Sequence, residues 1–397
     1  MLPKLHYRPT HWVNGMKITE NHLVNQENFV ADQLRDALAL NLTNFNFGLL
    51  PGPNPGQPAF DMEVNTEWVE VNSCRAVTAG GVRIEISPGE AKELKMPTRQ
   101  LLGNQAIPED SKWYVVLRVN PFERFPTGTI NPNEAPLRHP HTRPGYKLDV
   151  IPVERVSASE FSAFQLPLAK IQGNRGGLRV IEDYIPPCAR MDCHPDLAKY
   201  YREFNNRLQH LQENVLEVID NLHRQQTEEH ALNPLAQDIR LLMESMASFL
   251  ANNMDYYRLL LEQEPPLYAI ERFARFARVI GQSLRLMQSR ETFLEYCRLN
   301  FDLLPADWEF DLCDLQYNHL EIKQALEQVV DFLDMQEQRF LKKLSQILSY
   351  TLLQKKVNEY DPLLEFKLKQ QAQAAAENGN GAGKNNGNSS WFKSLIE

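Results

Sequence analysis

The spacing of apolar residues along the chain changes once, at Tyr184-Ile185-Pro186-Pro187-Cys188. Upstream the apolar positions recur about every second residue, and downstream about every three and a half, which separates strands from helices. Two adjacent prolines remove two backbone donors and fix two φ angles, so they end a strand and continue neither kind of element. Val69 and Val71, then Val82, Ile84 and Ile86 alternating with Arg83 and Glu85, then Trp113-Tyr114-Val115-Val116-Leu117-Arg118-Val119 predict strands. Further strands are expected near 148–155, 166–172 and 178–182, with Gly80-Gly81 as a hairpin turn and Gly173, Gly176 and Gly177 at the last turn. Short strands in succession without interleaved helices predict an antiparallel sandwich or barrel.

Two features interrupt that half. A helix is predicted after Thr19, its N-cap, with Leu23, Val30, Leu34 and Leu38 sharing one face while Asp32, Arg35 and Asp36 point away. The segments 51–58 and 120–147, the second carrying Pro121, Pro126, Pro132, Pro136, Pro140 and Pro144, are expected to form no ladder and to run over the surface as contact loops.

Downstream, Leu197, Tyr201, Phe204, Leu208, Leu211, Val215, Val218 and Leu222 recur at spacings of four and three, the seam of a bundle or coiled-coil helix, with Pro195 in its first turn. That helix is on the order of 40 Å long. A second carries Leu235, Ile239, Leu242, Met246 and Phe249 after Pro234; a third spans about 267–294, and a fourth about 318–357 with Ile322, Leu326, Val329 and Leu333 inward and Thr351 in its last turns. Four long helices joined by Pro-marked turns predict a four-helix bundle whose seams can also pair between subunits. Leu197, Phe204, Leu208, Leu211 and Val215 are the expected oligomerisation residues. From Gln370 to Ser390 the composition turns to Gln, Ala, Asn, Gly and Ser, which predicts a disordered linker, placed over 361–390. The last seven residues, Trp391-Phe392-Lys393-Ser394-Leu395-Ile396-Glu397, read either as a frayed terminus or as a short docking motif on a tether.

A chain of 397 residues suggests two or three domains, and a net charge of -9 disfavours a nucleic-acid groove or an anionic membrane surface. Protein partners are expected instead. Five cysteines at irregular spacing, with no signal peptide and no bilayer-length apolar run, point to a reduced, cytoplasmic chain that inserts in no membrane.

Candidate chemistry is sparse. Cys188, Cys193 and His194 lack the spacing of a zinc site, and His139 and His141 sit in the Pro-rich segment. Glu228, Glu229 and His230 read as a solvated turn, and Arg272, Arg275 and Arg278 as a solvated or intersubunit face. No nucleophile elbow, phosphate loop, zinc-protease helix or dinucleotide fingerprint is present, so neither an enzyme nor a cofactor is expected.

Four stretches resemble one family. Trp12-x-x-Gly15-Met16-x-Ile18 with His22-Leu23 is similar to the Trp-x-Glu-Gly-Met-x-Leu-x-Pro-Gln-His-Phe opening of the type VI secretion baseplate family TssK, with Asn14 in place of Glu and Glu20-Asn21 in place of Pro-Gln. Gln26-x-x-Phe29 follows it; Leu166-Pro167-Leu168-Ala169-Lys170-Ile171 resembles the family's Pro-Leu-Ala-Arg-Ile strand, and Tyr184-Ile185-Pro186-Pro187 its Tyr-Ile-Pro-Pro joint. The resemblance implies a shoulder-like β-sandwich over 1–188 and a helical bundle over 189–360, after which composition places the linker over 361–390 and the apolar peptide over 391–397. It further implies a non-catalytic homotrimer that binds TssF and TssG wedge proteins through Trp12, Gly15, Met16 and His22, at the inner face of the cytoplasmic membrane. The family's folded C-terminal domain has no counterpart after the fourth helix, which leaves Trp391, Phe392 and Leu395 as the expected contact with a membrane-side partner. An adaptor of a phage tail or another contractile injection system would share the same parts.

Overall fold

Alternating stretches become strands where expected, and the computed structural model describes residues 3–54, 56–65, 67–89, 94–97, 110–155, 161–174, 177–225 and 233–348. Strands β1 (Gly48–Leu49), β2 (Phe60–Val64), β3 (Trp68–Val77), β4 (Arg83–Ile86) and β5 (Lys95–Pro97) form one antiparallel sheet around β3. Strands β6 (Lys112–Thr127), β7 (His141–Pro152), β8 (Gln165–Asn174) and β9 (Gly177–Val180) form a second, in the order β7-β6-β8-β9. Val69, Val71, Cys74, Ile84 and Ile86 are buried on the first sheet, and Val115, Leu117, Leu148, Leu166 and Ile171 on the second. Each such aliphatic side chain contributes about 1.5–3 kcal/mol by leaving water.

The second sheet is covered on both faces along the start of β6, where Trp113 to Leu117 are buried without a break. That is why this run reads as continuous rather than alternating. On one face Tyr114 and Val116 pack with Tyr184, Ile151, Phe161 and Ile181. Lys170 Nζ lies 5.1 and 5.0 Å from the ring centres of Tyr114 and Tyr184 and pairs with Glu321, which also accepts the Tyr114 hydroxyl at 2.8 Å.

The Pro-rich segment 120–147 is a correction. It is largely a β-hairpin: β6 and β7 stay in register from Trp113↔Pro152 to Asn120↔Gly145, shift, and resume at Phe125↔Arg143 through Thr127↔His141. Pro121 and Pro144 fall in the shift, and β8 pairs β6 only as far as Arg118, so Pro126 removes a donor from an edge that has no strand beside it.

The proline joint is fastened to the first sheet. Leu49 pairs in parallel with Cys188, its N–H donating to the Pro187 carbonyl (2.8 Å) and its carbonyl accepting from the Ala189 N–H (2.9 Å). Gly48 makes the approach possible: its φ is +116°, and a Cβ there would overlap the Pro187 carbonyl oxygen. Beside it, His319 Nε2 donates to the Phe47 carbonyl (2.9 Å). A carbonyl only accepts, so Nε2 carries the proton, and Nδ1 accepts the Tyr317 hydroxyl (2.7 Å). Burial pushes the His319 pKa down to about 4 against the Phe47 bond, which favours the cation.

Helices follow as α1 (Glu20–Ala39), α2 (Pro195–Gln225), α3 (Pro234–Leu259), α4 (Pro266–Leu286), α5 (Arg290–Phe301) and α6 (Ile322–Asp334), with α2, α3 and α4 each starting on proline. The expected third helix is broken after Leu286: the buried Asp238 carboxylate accepts the N–H groups of Gln288 (3.3 Å) and Ser289 (2.6 Å) and holds a turn there. The expected fourth begins at Ile322, passes through a π-helical stretch, Met335–Leu341, and is described to Leu348; Thr351 lies outside the described residues. Among the described residues no helix is long and apolar enough to cross a membrane.

The chain divides into two compact units. One contains Met1–His210, Ser248–Val279 and Phe310–Asp334, and its helical core is aromatic: Phe204 and Tyr257 flank Phe273 at 5.0 and 5.1 Å, and Phe276 meets Phe249 and Phe332 at 5.0 and 5.8 Å. The other contains Leu211–Ala247, Ile280–Glu309 and Met335–Glu397, where Trp308, Phe293 and Phe301 surround Phe340 in edge-on contacts.

Gly48→Ala is expected to cost at least about 2 kcal/mol, read as a lower urea midpoint, because both its φ and its contact with Pro187 exclude a side chain. Acid sensitivity should arise in two windows. His319 has a folded pKa below its unfolded one, so its contribution of up to about 3 kcal/mol is present above pH 6.5 and lost as pH falls towards 4. Asp32, whose pKa is lowered, loses its contribution only below its ordinary value of 3.8. His319→Gln should shrink the first window and leave the second unchanged in pH-dependent unfolding, the buried His194, whose pKa is also lowered, accounting for part of what remains.

Candidate partner-binding surface

Helix α1 is laid against the protein by its charged side. Asp32 and Arg35 are buried, while Leu23, Val30, Leu34 and Leu38 are exposed, Leu34 at 63%. This reverses the orientation expected of an amphipathic helix, and the bonds explain it. Asp32 accepts the backbone N–H groups of His6 and Tyr7 (the latter at 3.0 Å), and its other oxygen takes Arg35 Nε and Nη2 at 2.9 and 2.7 Å. Arg35 also donates to the Gly80 carbonyl (3.2 Å). Burial opposes ionisation of Asp32, but the Tyr7 N–H, Arg35 and the His6 N–H outweigh it and hold the carboxyl below its usual range. A buried ion pair costs desolvation that only such complete hydrogen bonding offsets.

The N-terminal arm is thereby clipped to α1. Thr10 N–H donates to Gln26 (3.3 Å), Tyr7 and Phe122 rings lie 4.7 Å apart, and Arg124 on β6 donates to Glu27 (2.6 Å) and Asn28 (2.8 Å). A turn then leads into the helix. The Met16 N–H closes it on the Val13 carbonyl (3.2 Å), and Gly15, at φ +79°, supplies the left-handed residue the turn requires. Thr19 is the N-cap, and its backbone N–H donates to His22 Nδ1 (3.2 Å), which spends the His22 side chain on starting the helix.

The expected contact residues therefore sit together at the start of α1. Trp12 meets His22 edge-on at 6.1 Å and is 46% exposed; Met16 and His22 are half-buried, and Gly15 is exposed. Val13 and Ile18 are exposed beside Trp12, so the turn and the leucine face of α1 both present apolar surface. Asp32, Arg35 and Arg124 were not singled out as binding the helix, although two opposite charges three residues apart on one face were the signal for it.

Other expected site residues lie elsewhere. Leu197, Phe204, Leu208, Leu211 and Val215 are fully buried within the single chain, so the seam they form is its own core and is not free for a second copy in this conformation. Trp391, Phe392 and Leu395, like Glu228, Glu229 and His230, lie outside the described residues. Burial pushes the Cys188 and Cys193 thiols up and His194 down, leaving them neutral. Arg272 stacks on Tyr256 at 4.1 Å, Arg275 pairs with Glu271, and Arg278 donates to the Cys313 carbonyl at 2.7 Å, so that stripe binds its own chain. Among the described residues no three His, Cys, Asp or Glu side chains are grouped to hold a metal.

Asp32→Ala, which leaves the buried Arg35 only Asp36 at 3.9 Å as an anion, is expected to cost about 3 kcal/mol of stability. Leu34→Gln, on the exposed face, should stay within about 0.5 kcal/mol, both measured by urea unfolding.

No protein-family model matches this sequence, and no curated protein matches it. Among solved structures it is similar to a crystal structure of TssK, at 12% identity over 83% of this chain and 69% of that one, with a TM-score of 0.50. It is also similar to TssK from the T6SS of EAEC in complex with a nanobody, at 15% identity over 82% and 99% of the two chains and a TM-score of 0.45. A third likeness is to the type VI secretion system TssK-TssF-TssG baseplate subcomplex, at 13% identity, 87% and 100% coverage and a TM-score of 0.42. At these identities the likeness is one of fold, and the chain has the fold of TssK: antiparallel sheets in its N-terminal half and helices in its C-terminal half.

Proposed function

We propose that this chain is a non-catalytic structural adaptor of a type VI secretion baseplate, a homotrimer that binds wedge proteins of the TssF and TssG type. The observation that carries this reading is the exposed Trp12 beside Val13 and Ile18, at the turn whose residues resemble the opening motif of TssK, on a chain that has the TssK fold. Exposed apolar side chains grouped in one short segment favour a protein cover, and an indole is among the side chains most often found at the centre of such contacts. Asp32 holds the arm at His6 and Tyr7, and Trp12 packs edge-on against His22 at the start of α1, so part of the ordering that a partner would require is already made within the chain. In the same reading the sandwich over 1–188 contacts the wedge, the residues over 189–360 supply the helical bundle, and the linker over 361–390 holds Trp391, Phe392 and Leu395 for a membrane-side partner at the inner face of the cytoplasmic membrane.

Trp12→Ala should keep the fold, since the indole is half exposed, and weaken capture of TssF- and TssG-type proteins by about thirtyfold, the loss typical of a central aromatic anchor. Pull-down of those two proteins by the folded variant at wild-type strength would refute the assignment of the contact to Trp12.

A further inference from the structure

The leucine face of α1 is distinctive in what it lacks. Leu23, Val30 and Ala37 stand seven residues apart with Leu34 and Leu38 beside them, all exposed, the spacing by which one helix packs along another. Between Asn21 and Leu40 the exposed residues carry a single charge, Glu27, and its carboxylate is already engaged by Arg124 of the same chain. Neighbouring polar positions are amides: Asn21, Asn25 and Gln33.

We infer that this face is where copies of the chain meet, α1 against α1. Electrostatics favours a second copy over a different protein. A chain of net charge -9 repels its own copies, and in a symmetric assembly a residue near the axis faces its own mate, so any ion there faces a like charge. An uncharged face whose one carboxylate is neutralised from within its own chain removes that repulsion. A heterologous partner imposes no such restriction, because opposite charges can be matched across the contact. The seam residues Leu197, Phe204, Leu208, Leu211 and Val215 are consumed by the chain's own core, so copies need another surface, and α1 offers apolar area over a length of about 30 Å. This inference rests on the homo-oligomer of the reading above and not on its wedge partners.

Val30 lies midway between Leu23 and Leu38, so about the threefold axis of the proposed trimer, where equivalent helices run parallel, it meets its own mates. Full-length wild type, Val30→Glu and Val30→Lys are compared by light scattering over a range of concentrations, with Leu286→Glu, at the exposed end of α4, as control. Each Val30 variant should associate at least about tenfold more weakly, because a desolvated charge then faces its twin. Mixing the two variants should restore the oligomer, with both chains in it, and the control should behave as wild type. A wild type that is a single chain at every concentration overturns the homo-oligomer and this inference together. An oligomer that survives Val30→Glu overturns this inference alone, and if that variant has also lost capture of TssF- and TssG-type proteins, the face belongs to the wedge contact. Restoration in the mixture is a result that general destabilisation cannot produce.

Discussion

The parallel bridge between Leu49 and Cys188 joins the two halves of the sequence at a point where neither proline can donate a hydrogen bond. Pro186 and Pro187 leave the joint with carbonyls to offer, and the Leu49 N–H takes the second of them. For that bond to form, the backbone at residue 48 must approach so closely that only glycine fits. The consequences spread outward. With the joint fixed, Tyr184 packs onto Tyr114 over the second sheet, Lys170 is held above both rings, and Glu321 and His319 tie the segment before α6 to β6 and to Phe47. The double proline that ends the strand pattern is here part of a buried clamp, because its carbonyls find donors: the Leu49 N–H for Pro187 and the Cys188 thiol for Pro186.

The change of period at the joint was legible because it depends on side chains alone: alternation buries one face of a strand, and a spacing of three and four buries one stripe of a helix. The strands at 69–71, 82–86 and 113–119 follow from it, as do the proline-started helices. Features set by backbone partners were not legible. The 120–147 hairpin was hidden because proline is forbidden only where its missing donor is needed, and the free edge of β6 beyond Arg118 asks for none. The break after Leu286 was hidden because the group that makes it, Asp238, is about fifty residues earlier in the chain, a separation of the kind periodicity does not see.

At the candidate surface, the residue types and their order were legible while the direction of α1 was not. Trp12, Gly15, Met16 and His22 form one unit because a left-handed glycine turns the chain and a histidine starts the helix. The direction of the helix was decided by Asp32, which finds two backbone N–H groups and a guanidinium in one place. Burying four leucine-type side chains would have yielded several kcal/mol. The polar set competes because Asp32 and Arg35 satisfy each other and also bind the arm and Gly80, ordering segments that no leucine could hold in register.

Helix α1 keeps its apolar face outward in the single chain. The free energy that α1 forgoes by leaving Leu23, Val30, Leu34 and Leu38 in water would be recovered by any surface that covered them. The same choice protects the attachment of the helix, since a partner that leaves would take no part of the Asp32–Arg35 anchor with it. The residues that hold α1 to its own chain and the apolar residues it exposes thus lie on opposite faces of one helix, and each set can be altered without the other.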